Sequence, residues 1–210
     1  MNMKIAALFP EHLNLNGDQA NLFVLQKRLE WRGIQTSLVT VNKNQDLPTN
    51  VDLIFLGHGS IAAWADVSAD LDRLAPQLLR VLKSGTAFMA VASGYERAIE
   101  FGIFEGSLEP CERISKFEIV KIGELEVLGY LNASTSAPIL QKVGLSIGTQ
   151  LHGPLFAKNP VLADNYLDEI IAAKSDMSMK SPATKNHQAL KLIDSIVESV
   201  WSLEKELASE

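Results

Sequence analysis

The order of apolar runs predicts a layered α/β domain built on a mainly parallel sheet. Two observations carry that expectation. Short, nearly uninterrupted apolar runs, the mark of strands buried on both faces, alternate with longer segments of helical period. Glycine-bearing loops follow several of those runs, where a parallel sheet places the carboxyl ends of its strands. Residues 4–8 form the first apolar run, and residues 18–32 follow with Leu22, Leu25 and Leu29 at helical spacing before Gly33 stops the helix. A second strand is predicted over 35–41. After a polar stretch with Pro48, a third over 52–56 ends in Gly57-His58-Gly59-Ser60. Val67, Leu71, Leu74, Leu78, Leu79 and Leu82 repeat at helical intervals over 67–83, and Gly85 admits a strand over 86–91 apolar enough to be central and parallel.

Beyond it, a helix is expected over 95–101. The alternating runs 117–120 and 126–130 read as more exposed, antiparallel strands that give the sheet a mixed edge. The last third holds a strand over 145–148, the loop 149–154, and a helix over 159–174 carrying Leu162, Tyr166, Leu167 and Ile170 on one face. Residues 174–186 show no period and read as a mobile connection to a closing helical extension over about 182–208.

Composition narrows the class. A chain of 210 residues at 47% hydrophobic content can bury one sizeable core, so a single domain over 1–210 is expected. The balance of 19 basic against 25 acidic side chains, with no basic cluster interleaved with aromatics, argues against nucleic acid as a partner. The apolar run 5–9 is too short for a signal-peptide core or a membrane span, which points to the cytoplasm. One cysteine, Cys111, excludes an internal disulfide framework and a cysteine-based zinc site, and fits a reducing compartment.

Three loops, 57–60, 92–95 and 149–154, would converge at the carboxyl ends of the strands. Around them the sequence resembles a known family. Leu8-Phe9-Pro10, Leu13-Asn14-Leu15, Gly17-Asp18, Asn21 and the run 29–34 are similar to the opening of the cobyric-acid-synthase-like class I glutamine amidotransferases, particularly the glutaminase subunit of lipid II isoglutaminyl synthase. Gly148-Thr149-Gln150-Leu151-His152-Gly153-Pro154-Leu155, with Lys158-Asn159-Pro160 and Leu162-Ala163-Asp164, resembles that family's catalytic-histidine loop and the helix after it. The resemblance covers about 4–164. It implies a three-layer, flavodoxin-like domain in which a cysteine at a strand-to-helix elbow attacks the amide of glutamine. A histidine relays protons, backbone amides hold the oxyanion, and no cofactor is needed.

The departures from the family pattern fall at the chemistry. Where the family carries Cys-Gly-Gly-Tyr-Gln, this chain has Ala92-Ser93-Gly94-Tyr95-Glu96, so the nucleophile position is Ala92. The glycine-rich oxyanion loop, usually Gly-Gly-Gly-Gln-Asp, stands as Gly57-His58-Gly59-Ser60-Ile61, and a histidine would crowd it. The Gly-Phe-Glu-Asn-His strand stands as Gly129-Tyr130-Leu131-Asn132-Ala133, which is more apolar. An engineered Cys→Ala exchange would explain Ala92 alone; natural divergence accounts for the whole set. The resemblance carries over His152 as the retained histidine and Gly57, Gly59, Ser93, Gly94 and Tyr95 as residues of the glutamine pocket.

Taken singly, these residues have plainer readings. His152 fits a hydrogen-bonded loop histidine, Gly57 and Gly59 fit a tight turn, and Cys111, beside Pro110, fits an incidental loop thiol. His58 with His152 lacks the paired carboxylates of a metal site. Glu30 and Trp31 suit a helix end that packs or meets a partner. Glu198, Glu204, Lys205 and Glu206 suit a solvated helix face with ion pairs at helical spacing. The resulting expectation is a degenerate amidotransferase subunit that binds or regulates a Mur-ligase-like synthetase of cell-wall precursor metabolism. No Gly-rich phosphate loop is present, so ATP would belong to that partner. Two alternatives stand beside it: glutamine hydrolysis through a relocated nucleophile, Ser93 or Cys111, and a small-molecule sensor whose pocket is lined by Gly59, Tyr95, Leu131 and His152.

Overall fold

A computed structural model describes residues 2–174 and 187–208. Strands β1 (Asn2–Leu8), β2 (Gln35–Val41), β3 (Leu53–Leu56), β4 (Ala87–Val91), β7 (Leu140–Val143) and β8 (Ser146–Thr149) form one sheet in the order β2-β1-β3-β4-β8-β7. The first five are parallel and β7 runs antiparallel at the edge. A parallel neighbour needs a crossover, and the sequence supplies helices in three of them, α1 (Ala20–Trp31), α2 (Ile61–Lys83) and α3 (Ser93–Glu100), while α5 (Pro160–Lys174) follows the last strand.

Strand periodicity distributes the core onto both faces. Ile5, Ala7, Leu53, Phe55, Met89 and Val91 join one apolar cluster with α1 and α5. Ala6, Leu8, Ile54, Leu56, Phe88 and Ala90 join a second with α2 and α3. The result is a three-layer sandwich with a mainly parallel sheet and a mixed edge, the predicted class.

The antiparallel runs expected at 117–120 and 126–130 do exist, but not at that edge. They are the middle of a long hairpin, β5 (Pro110–Ile122) and β6 (Leu125–Thr135), which forms a separate three-stranded sheet with β9 (Leu151–His152). The edge belongs instead to β7, too short to give a period. Cys111 lies exposed on β5 rather than in a loop. A short helix, α4 (Leu155–Lys158), precedes α5, and the chain closes with α6 (His187–Ala208). The connection expected at 174–186, and the start of the closing helix at 182, lie beyond Lys174 outside the described residues.

Helix α2 starts six residues before the apolar period does, because Ser60 caps it, its hydroxyl accepting from the Ala63 amide at 3.2 Å. Among the described residues no helix is long and apolar enough to cross a membrane.

Candidate functional site

The site is built where β3, β4 and β8 end. Parallel pairing sets Val91 opposite Thr149, and the Ala92 amide donates to the Thr149 carbonyl at 2.7 Å, so the elbow and the histidine loop leave the sheet side by side. At Ala92 the chain turns from β4 into α3 with φ 48° and ψ −118°. That conformation is unfavourable for a residue with a Cβ, and it is the strained strand-to-helix turn that presents a nucleophile in elbow-type hydrolases. Its cramped geometry requires Gly94: a Cβ there would stand 2.5 Å from the Gly57 carbonyl oxygen and 2.7 Å from that of Leu56. The elbow is therefore complete in backbone and lacks a reactive atom. The Ala92 methyl is 2% exposed and belongs to the same apolar cluster as Leu131, Ala133 and Leu151.

In an elbow, the oxyanion is held by the amide of the residue after the nucleophile and by an amide from a second loop. The amides that stand in the corresponding places here, of Ser93 and of Gly59 in the 57–60 loop, both face acceptors within the protein. The Ser93 amide points to His58 Nδ1 at 3.4 Å, and the Gly59 amide donates to Ser93 Oγ at 3.2 Å. Ser93 Oγ also accepts from Trp64 Nε1 at 2.7 Å and donates to His58 Nδ1 at 2.7 Å. The hydroxyl thus spends its proton and both lone pairs on the protein.

His152 is placed by β9, whose pairing sets it opposite Tyr130 of β6. It is 8% exposed, and its Nε2 donates to the Asn132 carbonyl at 3.0 Å while Nδ1 meets the Asn16 side-chain amide. His58 lies edge-on to it, ring centres 4.9 Å apart. Burial, reinforced by the charge of His152 and partly offset by Glu96, holds the His58 imidazole down at about 4, so it is neutral at physiological pH. Glu96 Oε1 accepts from Thr135 Oγ1 at 2.7 Å and from Gln150 Nε2 at 3.1 Å.

Of the residues proposed for the glutamine pocket, Gly57, Gly59, Ser93 and Gly94 meet at the elbow. Tyr95 does not join them. It is fully buried, its ring edge-on to Phe104 and its hydroxyl accepting from the Gln141 side chain at 2.5 Å. Leu131 is likewise 2% exposed. The open space beside the elbow is a cleft of about 290 Å³ on the other side of Ser93, bounded by Trp64, Glu96, Arg97 and Thr135. No group of three or more His, Cys, Asp or Glu among the described residues could hold a metal ion.

Sequence reasoning gave no role to Asp18, which ties the loops together. Fully buried, it accepts from the His58 amide and the Gly153 amide, each at 3.2 Å. Burial raises its carboxyl above the usual range, against the lowering effect of those two amides and of His152. The sequence places Asp18 at the start of the helical run 18–32, which hid this role. The helix starts two residues later, and its capping position, Gln19, makes no side-chain cap. Trp64 was missed as well. Four residues after the Ser60 cap, it sits one helical turn from the loop and faces the elbow.

No protein-family model matches the chain. A stretch of 87 residues, 41% of the chain, is 25% identical to the lipid II isoglutaminyl synthase (glutamine-hydrolyzing) subunit GatD of Staphylococcus aureus, and spans 36% of that protein's length. Among solved structures, the fold is similar to a chain of PurLQS from Thermotoga maritima. That match has a TM-score of 0.52 at 17% identity and covers 83% of this chain and all of the other. It is also similar to a glutamine amidotransferase from the same organism, with a TM-score of 0.51 at 15% identity over 98% of this chain and 94% of the other. The fold is that of the class I glutamine amidotransferase-like domains.

Proposed function

We propose that this chain is a degenerate, cobyric-acid-synthase-like amidotransferase subunit. It makes no ammonia and acts by binding or regulating a Mur-ligase-like amidating synthetase in the cytoplasm. One observation carries the reading: the elbow at Ala92 keeps its strained φ and ψ while holding a buried methyl where a nucleophile would stand. Loss of a nucleophile that works as a unit with its base costs about six orders of magnitude in rate. The surroundings support the same reading. His58 and Ser93 close both amides that an oxyanion would need, and His152 Nε2 already donates to a carbonyl. The partner is inferred from the similarity to GatD, a subunit of a synthase by its name.

The test is glutamate release from glutamine, with and without a Mur-ligase-like synthetase, by the native chain, Ala92→Cys, and Ala92→Cys combined with His58→Gly and Ser93→Gly. The native chain is expected to be silent. Ala92→Cys alone is expected to stay nearly so, since burial raises the thiol pKa and the oxyanion amides remain capped. Reopening them should add about 10²–10³ in rate. Turnover by the native chain, or failure to bind any such synthetase, would overturn the proposal.

A second reading has one observation in its favour, the 2.7 Å contact between Ser93 Oγ and a neutral His58. It requires a free lone pair on an oxygen that already accepts from Trp64 and Gly59. Native turnover abolished by Ser93→Ala would establish it in place of the first.

A further inference from the structure

A carboxylate withdrawn from water normally meets a cation. Glu96, half-buried in the first turn of α3, meets none among the described residues. Its Oε1 accepts from Thr135 and Gln150, neutral donors that hold the carboxyl in one orientation, and Oε2 is left without a partner. The start of a helix favours a negative charge but brings no counter-ion. Arg97, the next residue, is engaged elsewhere: its guanidinium bonds Asp72 and Glu100 and lies over the Phe101 ring, 5.1 Å from its centre. His58 is near enough for Glu96 to raise its proton affinity, yet burial keeps that ring neutral, so it does not supply the missing charge.

Glu96 stands on the wall of the open cleft of about 290 Å³, which Trp64, Ser93, Arg97, Glu100, Leu108 and Thr135 also line. At about 30 Å³ per water molecule, the cleft has room for about ten non-hydrogen atoms. Trp64 is fixed there by the 2.7 Å bond from its Nε1 to Ser93 Oγ, and with Leu108 it supplies the apolar part of the wall. Ser93 Oγ has no bonding capacity left, and Glu100 is matched by Arg97. The charge that the cleft presents to a ligand is therefore that of Glu96.

We propose that this cleft binds a small primary ammonium ion, a molecule with a short apolar body whose –NH₃⁺ is held by Glu96 Oε2 beside the Trp64 ring. The lining selects that class. An ionised carboxylate only accepts, so its ligand must donate. An aromatic wall favours a cation over an anion. A carboxylate ligand would be left with Arg97, which two carboxylates already share. A metal ion requires more oxygen or nitrogen ligands than this one carboxylate offers. The ligand would sit one hydrogen bond from Ser93 Oγ, on which the Gly59 amide also converges, so it touches the group that closes the elbow. The proposal holds whether or not the elbow is silent.

Two-dimensional nitrogen-15 NMR of the full chain tests it at the Trp64 indole N–H, a signal assigned with Trp64→Phe. n-Butylammonium chloride is titrated at neutral pH and constant ionic strength, against 1-butanol and sodium butyrate, which carry the same body with a neutral and a negative end. Butylammonium should shift the signal saturably, with a dissociation constant of about 1–10 mM, and the other two should leave it in place. Glu96→Gln keeps an acceptor for Thr135 and Gln150 while removing the charge, and should weaken binding at least about tenfold. Glu100→Gln should leave the constant within about twofold, since that carboxylate is exposed and serves Arg97. Leu108→Lys, which sets a competing cation in the cleft, should abolish binding. The indole signals of Trp31 and Trp201 report that each variant is folded. No saturable shift with butylammonium, an equal response to butanol or butyrate, or native affinity in Glu96→Gln or Leu108→Lys would overturn the proposal.

Discussion

Ala92 carries a conformational cost in its own backbone. At φ 48° and ψ −118° its Cβ is strained by roughly 1–3 kcal/mol, whereas glycine adopts this region freely. Ala92→Gly gives up a buried methyl worth about 0.8 kcal/mol and some chain entropy, and recovers the strain. The expected outcome in urea unfolding is stability within about 1 kcal/mol of native, while Ala90→Gly on the unstrained strand just before it loses more than that. A loss at Ala92 equal to that at Ala90 would mean that the turn is not strained.

His58 makes a second prediction at this scale. Its folded value of about 4 lies below the unfolded 6.5, so between those pH values the unfolded chain binds the proton and the folded chain does not. Stability from this group is therefore complete above about 6.5 and falls as the pH drops toward 4, by about 1–2 kcal/mol once solvent screening of a half-exposed ring is allowed for. His58→Gly should flatten the stability curve across that window. Asp18, with a carboxyl raised by burial, acts in the opposite sense, its contribution being present below the usual carboxylate range and declining as pH rises through its folded value. The comparison of the two curves isolates His58. Neither residue's partner was legible in the sequence, because the bond from Asp18 to Gly153 spans 135 positions and has no periodic signal.

Helices α1, α5 and α6 are joined by a charge network whose cations are buried and whose anions are not. Arg28 bonds Asp164 and Asp194, each at 2.7 Å, and Arg32 bonds Asp164 at 2.8 Å and Asp168 at 2.5 Å. The guanidinium side chains are 4% and 7% exposed and the carboxylates 36–51%. Asp164 serves both arginines. Asp164→Ala should therefore cost more, about 2–4 kcal/mol, than Asp194→Ala, which takes one carboxylate from one arginine. Equal losses in urea unfolding would show that the arginines find water instead.

The elements that hold this network were readable because Leu22, Leu25 and Leu29, and Leu162, Tyr166 and Ile170, repeat at helical spacing around it. β3 and β4 were readable as unbroken apolar runs. β7 was not, since Leu140-Gln141-Lys142-Val143 is four residues at an edge with no period to detect. The hairpin was read as two short strands and assigned to the wrong sheet, because alternation reports that one face is covered and not what covers it. The charges of α6 were read as pairing along the helix. Glu204 and Lys205 instead reach Lys158 and Glu126 on the body, contacts that helical spacing cannot announce.

At the scale of the molecule, the two apolar clusters on either face of the six-stranded sheet contain no residue of α6. That helix is held by half-buried side chains and by ion pairs at Arg28, Lys158 and Glu126, so it decorates a core that closes without it. A chain ended at Lys174 should keep its cooperative urea transition and its far-ultraviolet spectrum per residue, with a loss of about 1–4 kcal/mol. That loss covers one buried arginine stripped of a carboxylate and an apolar patch around Trp31 and Phe156 opened to water. Its denaturant slope should fall only in proportion to the small surface removed. If the shortened chain instead unfolds without cooperativity, then α6 belongs to the folding unit. If it folds, the elbow, the capped amides and His152 all survive in it, and α6 can be removed without touching the site.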